Sequence, residues 1–468
     1  MLFKPWQLAA VISSAAIATS ASSPIEQDFA PEDIISRDVC ILGGGGSGTY
    51  AAIRLKDSNH SVVVVERNDY LGGHAETFYL DDEKQFINYG VEGVFNDDLS
   101  KEYLERLGVS WDSLALSTLI DKYVDFNTGK EVLPPSDLLT TVVGAALYRL
   151  AIQKYTTLDQ GVYNLPDPVP EELLEPFSKF VEEHALQGVL RLVLMFAQNV
   201  GNILDAPLLY IIQNFGVPHI NALLEGGYIT PKNGIAELYD SAAKVLGNDV
   251  LFQTTAIETN RSDSGVSILV ENHADGSRKL IKAKKLLITF PPLLESLKGF
   301  DLDTKETGLF EKWNWMSYHV AIVNNTGIPS GITVGNADPN NGPASLPHTP
   351  FQWELEYLGV PGYLASKIIA NSSVTGDDAK NLVISDIKRM GAVGTFDVPA
   401  DGPNIVQFGS HSPETLIVST DNIRNGFYKN LYSLQGRHST FYTGLTFCTD
   451  YSSVLWAYTN TVIEKMFS

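Results

Sequence analysis

The stretch that most limits what this chain can become is "RDVCILGGGGSGTYAAIRLKDSNHSVVVVERN", residues 37–68. An apolar run of β-type residues meets four glycines. Small and apolar residues at helical spacing follow, and a second, wholly apolar run closes the unit. The order reads strand, turn, helix, strand, and a "VVVV" strand with no polar face belongs in a parallel sheet covered on both sides. Gly43, Gly45 and Gly48 occupy the G-x-G-x-x-G positions, with Ser47 inside the turn. The first glycine permits the tight turn, the second lets backbone N–H groups approach a pyrophosphate, and the third lets helix and strand pack closely. Gly44 and Gly46 carry no such assignment. Three glycines alone do not separate a nucleotide turn from a flexible loop. Glu66, which ends the second strand where a ribose-binding acid belongs, favours a dinucleotide and disfavours one with a 2′-phosphate.

Along the chain the character changes twice. Residues 101–225 read as helical, residues 226–300 return to strands around one helix ("PKNGIAELYDSAAKVLG"), residues 301–424 alternate strands with Pro/Gly/Asn loops, and residues 425–468 add a strand and a closing helix. Residues 22–100, 226–300 and 425–468 are expected to combine into one discontinuous domain, and the stretches between them into a second. Two apolar runs, 138–151 and 189–212, are interrupted by Arg149 and by Arg191, Asn199, Asn202 and Asp205, and are expected as buried helices of a globular domain.

With 55 acidic against 33 basic residues the formal charge is −22, which argues against nucleic acid or an anionic membrane as partner. Residues 1–21 have one lysine, a short apolar run and a small-residue cleavage region, the pattern of a secretory signal peptide. The expectation is entry to the secretory pathway with no membrane span left after its removal. Sequons stand at Asn59, Asn260, Asn324 and Asn371, and the two cysteines, Cys40 and Cys448, indicate no disulfide framework. No zinc, P-loop or nucleophile-elbow motif is present, and the nine histidines form no metal set in the sequence.

The continuation "ERNDYLGGHAETF" adds the doublet Gly72-Gly73 and Thr77 to Glu66 and Arg67. This E-R-x-x-x-x-G-G-x-x-x-T string resembles the signature of the flavin amine oxidase and phytoene desaturase superfamily. "GYITPKNGIAELYDSAAKVLG" and "STFYTGLTFCTDYSSVLWAYTNTVIEKMF" resemble two further blocks of it, in the same order.

The resemblance implies an α/β protein: a Rossmann-like, discontinuous FAD-binding domain with a mixed helical and sheet substrate domain. It implies noncovalent FAD held by Gly43, Gly45, Ser47, Gly48, Glu66, Arg67, Gly72, Gly73, His74, Tyr89, Gly90, Ala256, Gly444, Ser453 and Val454. His74 replaces the arginine usual after the doublet, and Val454 falls where amine oxidases place a cage tyrosine. A lysine near the flavin is a superfamily feature and maps to Lys298; Glu92, beside Asn88, is the candidate base. Trp313, Trp315, Tyr442, Tyr451 and Trp456 are candidates for an aromatic pocket wall. The implied activity is oxidation of a small organic substrate by hydride transfer to flavin, with O2 as re-oxidant and an indole-derived secondary metabolite as the substrate. An amine or amino-acid oxidase, or a non-catalytic FAD-fold binding protein, are the alternatives.

Overall fold

The computed structural model describes residues 28–80, 84–114, 120–342 and 344–468. The signal sequence expected at 1–21 lies outside them. The first sheet is organised by Ile34–Leu42, which pairs in parallel with Val62–Val65 on one side and Arg278–Ile288 on the other. Val250–Leu251 extends it in parallel beyond Val62–Val65, and Thr440–Tyr442 pairs in parallel with Arg278–Ile288. Thr254–Ser262 and Gly265–Asn272 add an antiparallel edge. Segments more than 200 residues apart therefore share one sheet, and all four valines of Val62–Val65 are buried, as a strand covered on both faces requires.

Helices Gly46–Asp57 and Ser452–Phe467 cover one side. Tyr50 stacks on Trp456 with ring centroids 5.6 Å apart, and the Trp456 indole N–H donates to the Gly46 carbonyl at 3.1 Å. Trp456 is thus a core residue that ties the last helix to the first.

The second sheet runs Asn404–Ser410, Asn314–Asn324, Tyr363–Asn371, Phe351–Glu356, Val334–Asn336, Lys122–Asp125, Lys130–Val132, with Glu414–Ile417 also on Asn314–Asn324. Its last two strands come from residues 101–225, expected to be helical. The sequence "KYVDFNTGKEV" turns back at Gly129, whose φ of +73° and contact with the Arg389 backbone leave no room for a side chain. A hairpin wins there because glycine can take the left-handed conformation a tight turn needs.

The two apolar runs part company. Within 189–212 the helices Leu190–Ala197 and Leu208–Asn214 are mostly buried. In Leu138–Ile152 only Gly144, Tyr148 and Ile152 are buried, while Leu138, Leu139, Val142, Val143, Leu147 and Leu150 are exposed, contrary to the expectation of a buried helix. This helix is apolar all round, but the fold packs against one side of it, at Gly144 and Val189. Among the described residues no helix is long and apolar enough to cross a membrane. Cys40 and Cys448 are both buried and free. Asn59, Asn260 and Asn371 are exposed, whereas Asn324 is half-buried within a strand.

One buried charge network locks the edge hairpin to the rest. The Arg261 guanidinium, with no exposed side-chain surface, donates to both oxygens of Glu306 at 2.8 Å and to Asp301 at 2.9 Å, and Tyr442 donates to Glu306 at 2.6 Å. Removing the cation strands a fully buried carboxylate. Arg261→Ala is expected to cost about 3–5 kcal/mol in unfolding free energy, read by chemical denaturation; a loss under about 1 kcal/mol would show that Glu306 finds another partner.

Candidate active site

The helix Gly46–Asp57 starts after Gly45 with no side-chain cap, leaving its first N–H groups unclaimed. The turn before it is fixed by contacts that exclude side chains. A Cβ at Gly48 would lie 1.9 Å from the Gly43 carbonyl oxygen, and Gly43 itself has a φ of +103°. The Thr289 hydroxyl, at the end of Arg278–Ile288, lies 3.0 Å from both the Leu42 and Gly43 carbonyls. Gly44, unassigned from sequence, is also constrained: its N–H donates to the Glu66 carboxylate at 2.6 Å, and a Cβ would strike Leu71. Gly45 differs. A Cβ there would meet only the Gly73 Cα, at 3.8 Å, so the space it faces is open cavity.

The Gly72-Gly73 doublet closes the other side, with Gly72 N–H donating to the Gly44 carbonyl at 2.9 Å and both glycines in the left-handed region. Between these backbones lies one end of a cavity of about 860 Å³. Gly43, Gly45, Ser47, Glu66, Arg67, Gly72, Gly73, His74, Gly90, Glu92, Ala256, Gly444 and Ser453 all line it. Glu66 is buried and accepts from the Gly44 and Asn68 N–H groups, which aims its carboxylate along the wall. Gly444, with φ of +110°, approaches the Thr289 carbonyl closely enough that a Cβ would sit 2.7 Å from it.

Four expected positions fall elsewhere. Gly48 does not line the cavity; it lets the turn close behind it. Tyr89 does not line it either: along Phe86–Gly90 alternate residues face opposite ways, and Tyr89 packs with Ile87 against Val320 and Ile322 while its hydroxyl accepts from Gln407 at 2.7 Å. Val454 turns away from the cavity, because successive residues on a helix are about 100° apart; its methyl lies where a Cβ on Gly161 would fall. Lys298 is exposed and outside the lining, on the turn that follows Pro291 and Pro292. Thr77, of the sequence signature, bonds Asn88 at 2.9 Å and accepts from Ala236 N–H, so it positions a helix start and not a ligand. Of the five aromatic candidates only Tyr451 lines the cavity; it stacks on Phe95 and is joined there by Phe196, Tyr228, Tyr318 and Phe408.

The cavity does contain a lysine, one the sequence reading missed. Lys367 lies 3.0 Å from Glu92, 2.9 Å from Glu356 and 3.4 Å from Glu354. Three carboxylates around one ammonium leave an excess of negative charge away from water. Burial, then the Glu356 charge, pushes Glu354 up to about 8, and burial raises Glu92 despite Lys367. Lys367 itself stays charged, because the carboxylates outweigh its burial. "FQWELEYL" and "YLASKIIAN" held the signal: two acids two apart share one face of a strand, and a lone lysine interrupts an otherwise apolar one. Elsewhere on the wall His74 stacks on His411 at 4.3 Å, and His411 bonds Glu76 at 2.8 Å. Burial and the neighbouring His411 hold the His74 imidazole neutral.

The comparisons with known proteins bear on this geometry. The sequence profile described as "Flavin containing amine oxidoreductase" matches residues 47–301. The chain is 43% identical to the beta-cyclopiazonate dehydrogenase of Aspergillus flavus over 98% of this chain and 99% of that one. It is 30% identical to an FAD-dependent oxidoreductase of Monascus ruber, over 97% of each. Among solved structures, a fatty acid isomerase from P. acnes that produces CLA superposes with a TM-score of 0.74 over 92% of this chain and 99% of that one at 17% identity, which speaks for the fold alone.

The cavity fits FAD on its own geometry: uncapped helix N–H groups, an open cradle at Gly45 and Gly73, and an acid at the strand end. Gly48→Ala is expected to give protein without flavin absorbance, because the turn cannot close around a methyl group at 1.9 Å; retention of a full flavin spectrum would contradict this. The lysine cluster makes a separate claim about pH. Glu354 holds its proton in the fold between its ordinary 4.5 and about 8, so the folded state binds the extra proton and stability falls as pH rises through that window. Thermal melts from pH 5 to 8 are expected to show that fall, and Glu354→Gln to make it shallower; an unchanged slope would place the titrating proton elsewhere.

Proposed function

The chain belongs to the flavin containing amine oxidoreductase family and is an FAD-dependent oxidoreductase, and we infer that it dehydrogenates a secondary metabolite with a largely apolar, indole-derived ring system. The observation that carries this reading is the continuity of the cavity. It runs from the glycine turn at Gly43–Gly48 to a wall of Phe95, Phe196, Tyr228, Tyr318 and Tyr451, so a bound aromatic ring and the cofactor share one enclosure. The near full-length match to a beta-cyclopiazonate dehydrogenase supports the substrate class.

In this reading the backbone of the turn and the start of Gly46–Asp57 hold the pyrophosphate, Glu66 accepts from ribose hydroxyls, and Thr254, Thr255 and Ala256 border the adenine end. FAD, when bound, supplies the two-electron acceptance that side chains lack. The aromatic wall excludes water and orients the substrate ring, while Lys367 with its three carboxyls fixes the charge on one flank. O2 is the proposed final electron acceptor. The leader-like N-terminus supports a place in the secretory pathway, where the exposed Asn59, Asn260 and Asn371 would be open to glycosylation.

A second reading, an amine oxidase, is favoured by one feature: Glu66, Glu76, Glu92, Glu356, Glu414 and Asp450 line the cavity against Arg67 and Lys367, an environment that welcomes a cation. Anaerobic mixing of the holoprotein with β-cyclopiazonate, simple indoles, diamines and amino acids separates the two. Bleaching of the flavin by β-cyclopiazonate or an indole and not by diamines is expected; bleaching by amines alone would transfer the protein to the second reading.

A further inference from the structure

Away from the lysine cluster, the cavity wall carries two acids that no lysine or arginine balances among the described residues. Glu414 opens the strand Glu414–Ile417 beside Met316, and Asp450 precedes the last helix and is open to the cavity. Their carboxyls hydrogen-bond each other. The Asn199 amide lies 3.4 Å from Asp450 and also bonds Glu414, so three separate segments converge to hold the pair. Thr415, next to Glu414, sits at φ +41°, a conformation unfavourable for a β-branched residue and one that persists only where surrounding structure enforces it. Two carboxyl groups within hydrogen-bonding distance resist ionising together, so they titrate as a unit whose last proton leaves well above the ordinary carboxyl range.

Resting on the reading of the protein as an FAD-dependent dehydrogenase, we propose that Glu414 and Asp450 together form its general base. The substrate this serves has an N–H or O–H next to the carbon being oxidised. That carbon loses a hydrogen with two electrons to the cofactor, the adjacent N–H or O–H gives its proton to the pair, and a C=N or C=O bond forms. The pair passes from one proton and one negative charge to two protons and none, so the balance closes. His74 Nδ1 lies 3.7 Å from Glu414, and its neutral ring leaves the proton on the pair.

The groups facing the pair are compatible with this role. Tyr318, Tyr451, Tyr163 and Cys448 surround it, all kept protonated by burial, and the His74 imidazole is neutral. Burial holds both carboxyls above the ordinary range, and for Glu414 the facing Asp450 adds to it. As pH falls, the pair takes its second proton and the base is lost.

The test uses holoenzyme whose flavin content and melting temperature are measured for every variant. Anaerobic stopped-flow reduction by β-cyclopiazonate is followed against pH. The wild type is expected to slow as pH falls through the pair's titration. Glu414→Gln and Asp450→Asn are expected to be about 100-fold slower or more, with that acid limb abolished, and Glu414→Asp to restore the limb in part. Wild-type rates and an unchanged pH profile in flavin-loaded Glu414→Gln and Asp450→Asn would overturn the proposal. A substrate-independent arm is infrared titration of the same proteins: a protonated-carboxyl band at neutral pH that Glu414→Gln and Asp450→Asn each diminish, beyond the Glu354 band that all of them keep, supports the shared proton, and a carboxyl band unchanged by both variants overturns it. If β-cyclopiazonate leaves the wild-type flavin oxidised, the substrate reading falls alone, and the infrared arm still decides the pair.

Discussion

The contact between Gly48 and the Gly43 carbonyl is the constraint on which the site depends. It lets the first helix begin directly behind the first strand, so that the unpaired N–H groups at its start point into a cavity and not into a loop. Glu66 and Thr289 then pin the turn from two neighbouring strands, one by accepting from Gly44 and one by bonding two carbonyls. The Gly72-Gly73 doublet adds a third backbone to the same spot. Because these anchors come from residues 43 to 289, a rigid sheet and not local chain stiffness sets the cavity's shape.

Charge inside the cavity is arranged in the opposite sense to an ordinary protein interior, where acids are matched by cations. One lysine serves Glu92, Glu354 and Glu356, while Glu414 and Asp450 have each other, Asn199, neighbouring polar groups and a neutral imidazole, and no lysine or arginine among the described residues. Such an excess costs stability, and in a protein only marginally stable it persists at a functional site. Both clusters hold carboxyl groups pushed above their ordinary range, one beside a lysine that stays charged and one with no cation of its own. Tyr318 lies between them and senses both.

The cofactor end was legible because its demands are local. A turn, a doublet and a strand-end acid each need particular residues at particular offsets, and Gly43, Gly45, Glu66, Gly72 and Gly73 all line the cavity. At the substrate end Glu92 and Tyr451 were named and line the cavity, but Glu354, Lys367, Glu414 and Asp450 were not, since they come together only when the chain folds. Helix and strand phase account for Val454 and Tyr89, which belong to the right segments but face away. The outward face of Leu138–Ile152 shows a further limit: apolar residues on every side of a helix do not say which side the rest of the fold covers.

Cys448 lies buried outside the cavity, its thiol near the Gln160 carbonyl, so nothing in the site links it to a cofactor. The site therefore holds one FAD noncovalently, through the backbone of the turn and the Glu66 carboxylate. Denaturing the purified protein and separating the chain from the supernatant measures this directly: about one FAD per chain released into solution is the result the account predicts. A protein without flavin, or flavin that stays with the precipitated chain, would contradict it.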